Sequence, residues 1–259
     1  MSTNRLKLDA DKTELLFASS CYSFTTLSGR YPVLQLGADI VVACSHVRLL
    51  GVDISSDLSL DHHVSRICAG CYYRLCQLRR LRRTLDSDSL ATLVYAVLSS
   101  RIDYCNTVLA GAPRTVTDMF QRALNAAALI VTGIWMFDRG LGQLLYDELH
   151  WIDVSDRVYF KLAVSVHRCL NGCAPPYLSA YCVPAADADI RRHLRSANRQ
   201  LIAVLRYRLN TYGRRAFSVT GHTRVPDEIR ERVPDCGGPT IWNSFQSGTR
   251  PSVQIARGS

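Results

Sequence analysis

Lysine is nearly missing from this sequence: 3 lysines stand beside 28 arginines in a chain of 259 residues with a formal charge of +9. Arginine's planar fork grips phosphate with two donors and stacks on flat rings, which lysine's point charge does not. Such a surface favours polyanions, nucleic acid above all; the alternative is an arginine-filled surface that is merely solvated. Also missing are an apolar run of about 18 residues, the least a membrane-crossing helix needs, and a charged-then-apolar leader at the start. The expectation is a cytoplasmic or nuclear protein without a membrane partner. Ten cysteines are scattered along the chain, and in a reducing compartment they are expected as small apolar core residues rather than as a disulfide framework.

Catalytic signatures are scarce as well. No two aspartates are adjacent, and Asp9/Asp11, Asp86/Asp88 and Asp187/Asp189 stand one residue apart in turn, cap or tail contexts. These are poor substitutes for the clustered carboxylates that hold paired divalent metals. Gly140-x-Gly142 lacks the third glycine and the preceding strand of a dinucleotide loop, and there is no Gly-x-x-x-x-Gly-Lys phosphate loop. His46 and His62-His63 have no partner at metal spacing, and no Gly-x-Ser-x-Gly elbow marks a nucleophile. Cys68-x-x-Cys71, with Cys76 nearby and Cys169-x-x-x-Cys173 downstream, has spacing that can hold zinc. The first pair, however, falls inside a helical pattern where a zinc knuckle needs a turn. No metal ligand, cofactor or catalytic residue is therefore assigned.

What is present is a chain with 47% apolar residues, ample for a core. Two apolar runs, Glu14–Ala18 and Val47–Val52, read as strands separated by a stretch bearing Gly29, Pro32 and Gly37. After Asp61 the period becomes helical: Val64, Ile67, Cys71, Leu75, Leu78 and Leu81 predict one amphipathic helix over about 61–83. Asp86 or Ser87 caps a second helix that turns Leu90, Leu93, Val97 and Ile102 toward a core and stops at Gly111-Ala-Pro113. A third runs from Thr115–Asp118 to Gly133 with small residues that permit close packing, and Arg139–Trp151 reads as short helix or turn. A fourth, capped by Asp153 or Ser155, closes at Asn171-Gly172 before Pro175-Pro176. Leu201–Leu205 has the composition of a strand in an otherwise arginine-dense, turn-rich end.

Arg74, Arg79, Arg80, Arg82 and Arg83 gather at the end of the first helix beside Tyr72 and Tyr73. Phosphates and stacked bases suit such a cluster, while cations that complement a helix C-terminus are the alternative reading. A second cluster, Arg191, Arg192, Arg195, Arg199, Arg206, Arg208, Arg214 and Arg215, interleaves with Tyr207 and Tyr212.

Several strings make the sequence resemble the end of reverse transcriptases from non-LTR retrotransposons of the jockey and chicken-repeat type. They are Leu8-x-x-x-Lys12-Thr-Glu14, Val47-Arg-Leu-Leu-Gly-Val52 and Leu58-x-Leu-Asp61-x-His-Val64, in the family's order and with its gaps. Further strings continue it: Gln77-Leu-Arg-Arg80, Ser100-Arg-Ile-Asp-Tyr-Cys-Asn106, Leu109-Ala-Gly-Ala-Pro113, Gln121-Arg-x-Leu-Asn-Ala-Ala127, Glu148-Leu-His-Trp151, Arg195-Ser-Ala-Asn198 and Tyr212-Gly-Arg-Arg-Ala-Phe217. Near the end, Pro226–Arg230 precedes Gly238–Asn243, the reverse of the family order, as in a rearranged copy.

The resemblance implies that Lys12 lies in the motif following the catalytic strands of the polymerase palm. It implies too that Leu49, Leu50 and Gly51 form the primer-grip hairpin. The implied fold is mainly α with a small N-terminal β-hairpin: a palm remnant over 1–56, a helical thumb-like domain over 57–184, and an arginine-rich, partly disordered extension over 185–259. The family copies RNA into DNA with two divalent metals, so Mg²⁺ belongs to the intact parent enzyme. Its catalytic aromatic-x-Asp-Asp turn is expected upstream of Leu8 and is not in this sequence. The expected function is therefore that of a truncated, catalytically incompetent fragment with weak, non-specific binding to RNA or DNA. The alternative is an inert or adopted helical protein-interaction module.

Overall fold

Strands give way to helices at Asp61, where the apolar period lengthens from that of a pleat to that of a helix. The computed structural model describes residues 9–18, 33–37, 39–133, 149–182 and 213–223. Among them the chain is mostly helical with small sheets near its start, and it divides into two compact units, Met1–Gly70 and Cys71–Ser259.

In the first unit, β1 (Leu15–Leu16) runs parallel to β3 (Asp39–Cys44), and β2 (Val33–Leu36) pairs antiparallel on the other side of β3. Val41 and Ala43 are buried while Ile40 and Val42 are exposed, the alternation of a strand with one covered face. A second hairpin joins β4 (His46–Leu49) to β5 (Val52–Ser55), with Val47 opposite Ile54 and Leu49 opposite Val52.

The first hairpin departs from the sequence reading, and the second departs from the apolar period alone, lying where the resemblance placed a hairpin. Val33–Leu36 and Asp39–Cys44, expected as part of a connecting stretch, form β2 and β3, because the turn residue Gly37 stands between two mostly apolar runs and takes φ +67°. Val47–Val52, expected as one strand, turns back on itself. Leu50 and Gly51 take φ +47° and +84°, the doubly left-handed loop that matches the twist of a two-residue hairpin.

Helix α1 (Asp61–Leu81) crosses from the first unit into the second and agrees with expectation to within two residues at its end. In the second unit α2 (Ser87–Ile102) starts at Asp86, whose carboxylate accepts the Ser89 N–H at 2.9 Å. It ends at Ile102, and a 3-10 turn over Asn106–Leu109 follows Cys105, which takes φ +52°. Its buried stripe is Leu90, Val94, Leu98 and Ile102, whereas Leu93, expected inside, is exposed. Helix α2 is apolar on more than one side, so sequence period alone does not choose the face; packing against α3 does.

Helix α3 (Arg114–Thr132) starts after Pro113 and stops at Gly133, left-handed at φ +78°. It packs on both α2 and α4 (Val154–Leu170), with Ala123, Ala127, Ala128 and Ala163 wholly buried, which lets the helix axes approach closely. Phe120, Leu124, Leu162 and Val166 fill the space between, each contributing about 1.5–3 kcal/mol of apolar burial. A single turn, α5 (Pro176–Ser179), and a short helix, α6 (Phe217–Thr223), pack against α4. No helix among the described residues is long and apolar enough to cross a membrane. Gly140, Gly142, Asp187, Asp189, Leu201–Leu205, most of the 185–259 extension and the arginines 191–208 lie outside the described residues.

Candidate nucleic-acid interface

The β4–β5 tip is apolar and outward: Leu50 is 80% exposed and Leu49 is also exposed. A tip with left-handed Leu50 needs support, and α1 supplies it. Arg66 donates from Nε to Asp53 Oδ2 at 2.5 Å and from its terminal nitrogen to the Gly51 carbonyl at 3.1 Å. The Asp53 N–H donates to His63 Nδ1 at 3.3 Å, and both residues are buried. His62 stands 3.9 Å from the same carboxylate and stacks near His46, with ring centroids 5.4 Å apart.

Burial alone would raise the Asp53 carboxyl, but the hydrogen-bonded Arg66 guanidinium and His63 outweigh it and hold it below its ordinary value. Burial pushes His63 down, aided by Arg66 and Arg48 and opposed by Asp53. Sequence reasoning passed over Asp53 and Arg66 and weighed His63 only as a metal ligand or a helix-start or surface residue, whereas it is buried; the Asp61-His-His63 doublet after the hairpin was the available signal. Lys12 lies in an exposed 3-10 turn (Ala10–Lys12), ion-paired with Asp9 at 3.4 Å.

The arginine cluster on α1 and beyond separates into parts. Tyr72 and Arg79 lie seven positions apart, as do Tyr73 and Arg80, so each pair shares a stripe about 10.5 Å long on the helix surface. All four are exposed, as is Cys76 between them, while Cys71, Leu75 and Leu78 point inward. Arg74 falls on the other flank, with Leu81. Arg82 and Arg83 follow the helix end. The Arg82 guanidinium lies over Gly133, so close that a methyl group there would stand 1.8 Å from its Nη2. Gly133 caps the carbonyl end of α3, where a cation is favoured. Among the described residues no carboxylate is within ion-pair distance of Arg74, Arg79, Arg80, Arg82 or Arg83.

Comparison with protein-family models, curated proteins and solved structures finds no match to this chain. The site is therefore read from its own chemistry. Among the described residues no group of three or more His, Cys, Asp or Glu side chains is gathered to hold a metal ion. Cys68 and Cys71 are each buried, and burial raises the Cys71 thiol against the pull of Arg101 and Arg74.

A second polar node, also missed in the sequence, lies in the helical core. Arg157 is 1% exposed and donates to Asp103 Oδ2 at 3.0 Å and to the Ile152 carbonyl at 2.7 Å, with its guanidinium carbon 5.4 Å from the Tyr95 ring centre. Lys161 donates to the Asp103 carbonyl, and Asn106 donates to Asp103 Oδ1 at 3.4 Å. The node braces the α2 end against α4.

Proposed function

We propose that this chain is a fragment of a retrotransposon RNA-directed DNA polymerase that does not polymerise by itself and keeps weak, sequence-indifferent affinity for RNA or DNA. The observation that carries the binding part is the set of arginines at the end of α1 that have no carboxylate partner among the described residues and stand exposed beside Tyr72 and Tyr73. Guanidinium groups free of internal pairing release counterions from phosphates at little cost. The parentage rests on the ordered strings around Lys12, the Leu49–Gly51 tip and Ser100–Asn106. In that reading the braced apolar tip at Leu49 and Leu50 seats the end of a strand, and the chain works in the cytoplasm or nucleus.

The test is salt dependence. Affinity is expected at about 10⁻⁴–10⁻⁶ M near physiological salt, its logarithm falling by about 0.7–0.9 per phosphate neutralised. Replacing Arg79, Arg80, Arg82 and Arg83 with Gln is expected to flatten that slope by about two to three. Arg82 contributes least, being docked on α3. Gln is a good helix former, so α1 survives. Arg74 on one flank and Arg82 folded onto Gly133 favour the second reading, an adopted helical protein-interaction module. An unchanged slope would establish it.

A further inference from the structure

The outward face of α1 points to a ligand narrower than nucleic acid at large. Cys76 follows Tyr72 by four positions and Tyr73 by three, and precedes Arg79 by three and Arg80 by four. These spacings make it the centre of a diamond with two rings at one end and two guanidiniums at the other. Tyr73 is 67% exposed and Tyr72 41%. The diamond faces away from Cys71, Leu75 and Leu78, and the Tyr73 ring, two-thirds exposed, owes little to packing of the core.

A duplex offers phosphates and groove edges, and its base faces are covered by stacking; only unpaired bases present a face to a ring. A site for phosphate alone has no use for the tyrosines. We propose that this diamond selects single-stranded RNA or DNA, with bases stacked on Tyr72 and Tyr73 while the adjoining phosphates meet Arg79 and Arg80. The inference rests on the nucleic-acid reading above.

The whole chain is titrated with oligothymidylate, oligouridylate and a duplex of equal length. Single strands are expected to bind about tenfold or more tightly than the duplex. Tyr72→Ala with Tyr73→Ala is expected to erase that preference without altering duplex affinity, whereas the Phe pair keeps it. Circular dichroism checks the helix, which Ala favours. As an independent reading, bound oligothymidylate shields Cys76 from a bulky maleimide, measured on the peptide, while the exposed Cys44 reacts as before. Equal affinity for strand and duplex, a preference that survives in the Ala pair, or an unshielded Cys76 would each overturn the inference. If the Arg→Gln slope change persists in that case, phosphate binding stands and only strand selectivity falls. A wild-type chain that binds neither probe removes both.

Discussion

Arg157 sits on the buried stripe of α4 with Val154 and Val158, where Asp103, the Ile152 carbonyl and the Tyr95 ring hold its charge while its Nη2 has no partner among the described residues. Asp103 feels the cost from the other side: burial raises its carboxyl, against the pull of Arg157 and Lys161. Removing one partner of such a pair costs far more than the pair itself contributes, because a desolvated charge is left behind. Arg157→Ala is accordingly expected to lower unfolding stability by about 3–5 kcal/mol, measured by urea denaturation. Adding Asp103→Ala in the same chain is expected to cost much less than it does alone. Additive losses would mean that the two side chains do not act as a pair. In the sequence Arg157 reads as a surface position of an amphipathic helix, since nothing local says that Asp103, more than fifty residues earlier, meets it.

At the scale of elements, the junction between the β4–β5 hairpin and the start of α1 is the pH-sensitive part of the first unit. His63 is held neutral below its ordinary 6.5, accepting the Asp53 N–H, with Arg66 and Arg48 nearby and His62 facing the same carboxylate. A depressed histidine means that the unfolded chain binds more protons just below 6.5, so stability falls as pH drops through that value. Asp53 is depressed from 3.8, so its contribution is present above that value and is lost at lower pH. Both act in one direction, histidine first. The unfolding free energy measured with urea is expected to fall on acidification below 6.5, by at most about 1.4 kcal/mol per pH unit and with it the midpoint, and His63→Gln is expected to remove this first step. A midpoint that is level there, or that falls equally in the Gln variant, would assign the change elsewhere. The elements themselves were legible unevenly. The apolar recurrence through Leu75 and Leu78 gave α1, and Asp86 and Gly133 gave helix ends, because period and capping are local. The apolar period ran through the Leu50-Gly51 turn, and only the resemblance placed a hairpin there, since a leucine at positive φ has no local signature and the turn is held by Arg66 from another element.

For the whole molecule, composition raises the expectation of a polyanion partner, but does not say how the arginines divide. Their spacing shows Arg79 and Arg80 on the tyrosine side of α1 and Arg74 on the other; that Arg82 lies on Gly133 depends on a contact fifty residues away. Carboxylates decide what the chain does to a bound strand. On the proposed reading the relevant reaction is nucleotide transfer, which needs two metal ions about 4 Å apart, held by clustered acids. Here Asp53 is occupied by Arg66 and His63, Asp103 by Arg157, Asp86 by the α2 N-terminus, and Asp9 by Lys12. Freeing Asp53 or Asp103 would leave a buried charge unpaired, whereas the Asp9–Lys12 pair is exposed and holds little. The chain, supplied with a primed RNA template, deoxynucleotides and Mg²⁺ or Mn²⁺, is therefore expected to extend no primer beyond a mock purification. Extension that co-purifies with the protein and disappears on Asp9→Asn with Asp11→Asn would show that exposed acids near Lys12 assemble a metal site on the template. That result would make the chain an enzyme rather than a strand-binding remnant.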